Sequence, residues 1–433
     1  MTRARPLGFW MATALVVGNM IGSGTYLLPA SLAPFGTASL LGWSASLGGA
    51  LLLALTFAWL SRKLPVGGGP YAYARAAFGD FAGFITAWCY WVSIWCGNAA
   101  IAVAFAAYLG GVIPAVGASP FVGAACALAA VWLCTLFNVV GIRAAGWVQL
   151  ITTVLKLLPL LVIAFVGAWW LEPASFEPFN PTQQPLLDVT TATVALTLWA
   201  FLGMESATVP ADKVRDPDRI VPLATLVGTL VAAIATILAC TVVIGLVPAA
   251  ELSASGAPFA NAARRLWGNA AGIAFAIAAA IACFGALNGW ILMQGQIPLA
   301  AARDGLFPRR FGRENARGTP VFALVAGSGI TTVLVIANFQ GSLVALFTWS
   351  ILLSTASVLV PYLLSMAAAV GFGRLSLPGT HVRIIAALAF AYGLWALLGT
   401  GREALAWGAG LLVAGLPIYA LLKTGRSRPP HAP

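Results

Sequence analysis

The sequence predicts an all-α integral membrane protein of twelve transmembrane helices, two of them broken near their middles. Three observations carry that expectation. Of the 433 residues, 61% are hydrophobic and only 8% are charged, with a mean hydropathy of +0.93; a soluble protein of this length carries about 25% charged residues. Apolar stretches near or above the roughly 20 residues that cross a bilayer recur along almost the whole chain. Two of them, 8–31 and 187–211, are interrupted, the first by Gly22-Ser23-Gly24 and the second by Gly203-Met204-Glu205. A helix in lipid has no water to satisfy freed backbone groups, so a break is tolerated only where it faces protein or a wet cavity. Two broken spans at matching places in two halves of a chain point to a transporter with its site at mid-membrane.

The spans are expected at 8–31, 38–60, 81–109, 121–142, 146–169, 187–211, 220–246, 270–301, 320–338, 343–371, 382–399 and 404–422. Spans one to five (8–169) and six to ten (187–371) read as equivalent halves, each opening on its broken span. The odd number of spans per half forces the second to run with opposite topology, so the expectation is a 5+5 inverted repeat. Two further helices (382–422) complete a single transmembrane domain over 1–425, followed by a tail at 426–433, with Pro429 and Pro430, expected to be disordered. Two cytoplasmic connections carry pattern: 213–219 alternates charges, and 304–310 reads as a short helix and turn.

The net charge of +11 is a topology signal. Arg264, Arg265 and Arg402 are the only basic residues on one set of connections, and Lys156 falls inside a span; all other lysines and arginines, from Arg3 to Arg428, lie on the alternate set. The positive-inside rule puts that rich side, and with it both termini, in the cytoplasm. A nucleic-acid partner is disfavoured by this distribution. The apolar run after Arg3 and Arg5 exceeds a signal-peptide core and is read as a retained first span. Cys89, Cys96, Cys126, Cys134, Cys240 and Cys283 all fall within predicted spans, in no metal-ligand spacing, so neither disulfides nor a metal site is expected. His381 and His431 are isolated.

At the first break, Gly22, Ser23 and Gly24 open a half-helix whose N-terminal N–H groups and dipole attract a carboxylate. The competing reading is a small-residue helix-packing motif. At the second break, Trp199, Leu202 and Glu205 cluster, and unwound carbonyls there can receive an ammonium. Glu205 is the carboxylate placed well inside a span, so it must face the protein interior; it either senses protons and conformation or is a structural carboxylate satisfied by nearby backbone. Lys156, in the fifth span, is the other intramembrane charge, with a partner of its own or snorkelling to the interface. Trp199, Trp290, Tyr90 and Tyr362 supply aromatic faces that attract cations, with Asn98 and Ser354 as nearby hydrogen-bonding groups. Gly327-Ser328-Gly329 reads as another packing site.

These residues sit in recognisable stretches: Gly18-Asn-Met-Ile-Gly-Ser-Gly24 through Leu28-Pro29-Ala30, Gly67-Gly-Gly-Pro-Tyr-Ala-Tyr-Ala-Arg75, Tyr90-Trp91, Gly97-Asn98, Leu198-Trp-Ala-Phe-Leu-Gly-Met-Glu-Ser206, Asp216-Pro217, Ala257-Pro258-Phe259, Gly289-Trp290, Asp304-Gly-Leu-Phe307 and Val360-Pro361-Tyr362. On them the chain resembles the amino acid–polyamine–organocation superfamily along nearly its whole length. It is most similar to the basic amino acid and polyamine antiporters, the arginine/agmatine group especially. The resemblance implies a LeuT-like fold working by alternating access. It implies that Gly22, Ser23 and Gly24 take the carboxylate, and that carbonyls near Trp199 and Leu202 take the α-amino group. Trp290 would stack on the distal cation with help from Asn98 and Ser354, and Trp199 would close over the substrate. Tyr90, Glu205 and Tyr362 would gate the inner path. A homodimer is implied as well. Lys156 departs from the antiporter group but occurs in other branches; there it takes the place where related carriers hold sodium, bridging the first and fifth spans.

The expected function is secondary active transport of a cationic amino acid, such as arginine, in exchange for its decarboxylated amine. The alternative is a proton-coupled permease using Lys156 or Glu205. The partners are the small substrate and the lipid bilayer, with no cofactor. A channel would carry polar residues repeated along one span, and an enzyme would gather nucleophile, base and orienting group; neither pattern is present. A ligand sensor without net transfer is the remaining rival.

Overall fold

A computed structural model describes residues 7–338, 343–371, 373 and 379–426. Of the tail expected at 426–433, Arg426 is instead the last residue of a helix, and Ser427 onward, with His431, lies outside the described residues. The described chain is almost entirely helical: α1 (Phe9–Met20), α2 (Ser23–Leu32), α3 (Ser39–Lys63), α4 (Pro70–Phe78), α5 (Asp80–Gly110), α6 (Pro114–Ala118), α7 (Pro120–Val140), α8 (Ile142–Phe165), α9 (Leu186–Trp199), α10 (Pro217–Leu246), α11 (Ala249–Ser253), α12 (Pro258–Trp267), α13 (Asn269–Arg303), α14 (Val321–Asn338), α15 (Leu343–Val370), α16 (Thr380–Gly399) and α17 (Gly401–Arg426). Each expected span meets a helix or a broken helix. Among the described residues, nine helical stretches are long and apolar enough to cross a bilayer, with α1 to α3 counted as one; α9 and α14 are shorter apolar helices.

The centre is α5, which packs along both α13 and α15, while α1 lies against α8, α10 and α13. Lipid offers helices no hydrophobic drive to associate, so small residues and interhelical hydrogen bonds hold them. Ser46 of α3 shares a hydrogen bond with Thr197 of α9 (2.8 Å) and accepts one from Tyr392 of α16 (3.1 Å). Gly49 makes the close approach possible, because a methyl group there would sit 2.3 Å from the Tyr392 ring.

The structure adds two features to the sequence reading. The second break starts at Ala200, three residues before Gly203, and no α-helix resumes: residues 200–210 run as turns closed by i to i−3 bonds such as Phe201 N to Leu198 O (2.9 Å). Gly203 sits at φ +103°, a conformation an α-helix excludes. The connections also contain helices of their own, α4, α6, α11 and α12. The stretch 304–310 is a turn leading into a 3₁₀ helix at Arg309–Gly312.

On the face rich in basic residues, ion pairs tie the connections together. Arg75 of α4 pairs with Asp304 (2.6 Å) and Asp80 (2.8 Å), and Arg303 reaches Asp212 (3.7 Å) and Glu314. Tyr71 donates to Asp304 (2.7 Å); its burial, and then this bond, push the phenol well above its ordinary range. Arg75, Asp80, Asp212, Arg303 and Asp304 rim an open hollow of about 690 Å³.

Candidate substrate site

The first break is made by two consecutive helix ends. Helix α1 stops at Met20, with the Ile21 N–H closing on Val17 O (2.8 Å), and α2 starts at Ser23 with no side chain capping it. The carbonyls at the end of α1 are taken by side chains. Lys156 Nζ donates to Gly18 O (2.7 Å) and Ile21 O (2.9 Å), and Trp290 Nε1 donates to Asn19 O (3.2 Å). A cation at a helix C-terminus is the favourable sign. The N-terminal end of α2 differs: Thr25 and Tyr26 N–H close on Gly22 O (3.1 Å each), the Ser23 and Gly24 N–H groups ahead of them have no intrahelical acceptor, and the Ser23 hydroxyl is buried without a partner. The break therefore exposes its positive pole while its negative pole is covered.

The second break faces the first. A methyl group on Gly24 would lie 2.9 Å from Trp199 Cδ1 and 3.0 Å from Ala200 Cα, so the two backbones touch where both helices are interrupted. Asn19 Nδ2 donates to Ser206 Oγ (2.7 Å) across the same gap. Between the breaks lies a cavity of about 10 Å³, the room one water needs, lined by Asn19, Gly22, Ser23, Gly24, Trp199, Leu202 and Trp290, with Ile101 of α5. An amino acid enters only if these walls part.

In the second break, the two oxygens of Glu205 each accept a phenolic hydrogen bond, one from Tyr90 of α5 and one from Tyr362 of α15. All three residues are fully buried. They join three separate elements: α5, the turn at 200–210 and α15.

Of the residues expected at the site, Gly22, Ser23, Gly24, Trp199, Leu202 and Trp290 share the cavity wall, and Tyr90, Glu205 and Tyr362 form one cluster. Asn98 and Ser354 stand one layer back. Ser354 donates to Ser93 O (2.7 Å), and Asn98 Nδ2 donates to Gln294 Oε1 (2.8 Å). Trp199 bridges to this layer: a methyl group on Gly97 would lie 2.9 Å from the far edge of its ring. Lys156 is buried and bridges the first and fifth spans, which excludes snorkelling. The sequence reading missed Ile101 and the buried amides Gln149 and Gln294. The amides were legible as polar residues within apolar spans, a costly placement that calls for partners.

Residues 7–414 match the amino acid permease family. The chain belongs to that family. It is similar to the cadaverine/lysine antiporter of Escherichia coli (strain K12), 38% identical over 340 residues, which cover 78% of this chain and 76% of the relative. It is also similar to the putrescine transporter PotE of the same organism, 31% identical over 425 residues and 97% of both chains, and to PotE of Haemophilus influenzae, 31% identical over 97% of this chain and 98% of the relative. The chain is thus a membrane transporter of the amino acid–polyamine–organocation superfamily and not an enzyme.

Proposed function

We propose that this permease exchanges a basic amino acid for its decarboxylated amine by alternating access, with no bond in the substrate made or broken. The observation that carries the reading is the bare N-terminal pole of α2, with its unpartnered Ser23 hydroxyl, facing Trp199 and Trp290 across one cavity. The pole suits a carboxylate, the carbonyls of the 200–202 turn suit an α-ammonium, and the indole faces suit a distal cation. The relatives' substrates favour lysine with cadaverine, or putrescine; arginine with agmatine is the third pair to test. In each pair a singly charged amino acid is traded for a doubly charged amine, so one positive charge leaves per cycle. The topology that goes with this reading has twelve crossings and two inverted halves, with the basic-rich face and both termini in the cytoplasm.

The test is counterflow in proteoliposomes loaded with cadaverine, putrescine or agmatine, with labelled lysine, ornithine or arginine outside. Uptake that requires an internal partner is expected. Lys156, bonded to the carbonyls of Gly18 and Ile21, supports a second reading, a proton-coupled permease; in that case liposomes without internal substrate take up label when the outside is acidified.

A further inference from the structure

The orientation of Asn98 is set by a chain of hydrogen bonds that starts outside the site. The main-chain carbonyl of Leu324 in α14 can only accept. It takes the amide nitrogen of Gln294 (2.8 Å), which also donates to Ser328 Oγ (3.0 Å). Gln294 is thereby turned so that its Oε1 faces α5, where it accepts from Asn98 Nδ2 (2.8 Å). With its amide nitrogen committed, Asn98 presents Oδ1, a fully buried acceptor with no partner. Reversing either carboxamide would set two donors or two acceptors against each other. A glycine and a serine make room and support: a methyl group on Gly327 would sit 2.3 Å from Gln294 Cδ, and Ser328 is held in turn by Thr135 (2.7 Å).

Asn98 is not in the wall of the closed cavity but shares the face of α5 that reaches it. Ile101, three residues on and so on the same helix face, lines the cavity, and Gly97 touches the edge of Trp199. Gln294 follows the cavity residue Trp290 by one turn of α13. We propose that Gln294 is a positioning residue: it holds the Asn98 carboxamide with its carbonyl oxygen toward the substrate, so that the site selects molecules bearing a distal N–H donor, the ammonium of a basic amino acid or a diamine. A buried acceptor left bare by an analogue lacking that nitrogen is costly, which turns one oriented oxygen into discrimination. This inference rests on the exchange reading above.

The experiment compares exchange of lysine with norleucine, and of ornithine with norvaline, in proteoliposomes containing wild type, Gln294→Met, Asn98→Leu or the double variant. The wild type prefers the basic member of each pair. Gln294→Met is expected to lower that preference by at least about tenfold, and the double variant to lose no more than Asn98→Leu alone. Ser328→Ala, which removes one of the two acceptors holding Gln294, lowers the preference less, in the same direction, and serves if Gln294→Met does not fold. An unchanged preference in folded Gln294→Met or, failing that, in Ser328→Ala overturns the inference, as does a double variant whose loss is the sum of the single losses. Failure of the wild type to exchange any basic substrate overturns the exchange reading itself, a separately visible outcome.

Discussion

Asn19 Nδ2 donates to Ser206 Oγ over 2.7 Å, joining residues 187 positions apart and tying the first helix break to the second. Both partners are buried. The bond spans the gap that must widen to admit substrate, so it is a contact of the closed arrangement. Ser206→Ala should cost about 1 kcal/mol of stability and raise the rate of exchange at saturating substrate more than it changes apparent affinity. Thermal unfolding in detergent and counterflow rates read the two effects.

Lys156 Nζ bridges Gly18 O and Ile21 O, and the role proposed for it under the exchange reading is that of a fixed cation in place of a bound ion. Exchange by the wild type should be indifferent to replacing sodium with potassium or N-methylglucamine. Lys156→Met leaves two buried carbonyls bare, at about 1–3 kcal/mol each, and should lower the melting temperature and abolish exchange. A sodium-dependent wild type would contradict the assignment.

Glu205 holds Tyr90 and Tyr362 through its two oxygens. Charge-assisted hydrogen bonds are about twice as strong as neutral ones, so protonating the carboxylate loosens both at once. Opening of the inner path, and with it exchange, should rise as pH falls. Glu205→Ala removes the titrating group and should level that dependence, measured as counterflow with equal pH on both sides. A pH profile unaltered by the change would remove Glu205 from the gate.

Trp290 is pinned by its indole N–H to Asn19 O (3.2 Å), and its ring lines the cavity. A desolvated cation over such a face gains about 2 kcal/mol, roughly 30-fold in affinity. Trp290→Leu should raise the KM for basic amino acids and diamines by about that factor, while Trp290→Phe recovers part of it.

Gly24 marks a close approach of the two breaks. Ala at this position would place a carbon 3.0 Å from Ala200 Cα and 2.9 Å from Trp199. Backbone cannot yield as a flexible side chain does, so Gly24→Ala should block exchange while the protein still inserts. Gly48→Ala, where nothing lies within 4 Å, is the control expected to keep wild-type exchange.

Much of the fold was legible because lipid narrows the choices. An apolar run of bilayer length has to be a helix there, so α5, α10 and α13 fall within a few residues of the spans read at 81–109, 220–246 and 270–301. The break at Gly22-Ser23-Gly24 was legible for the same reason. The break at Gly203 was seen, but its reach was not: the turn begins at Ala200, whose neighbours Trp199 and Phe201 are as apolar as any helical residue. Hydropathy reports the solvent a residue prefers and is blind to the dihedral angles it adopts.

The sequence by itself determined the all-helical membrane class, the order of the spans and the two interruptions, since these follow from local composition and from glycine. Only the tertiary structure decided which polar atoms remain free. Ser23 is bare, Lys156 is spent on Gly18 and Ile21, and Asn98 shows its oxygen because Gln294, 196 residues away, holds its nitrogen. A hydrogen bond is a relation between two groups in space, and no property of either residue alone states whether the other is there to meet it.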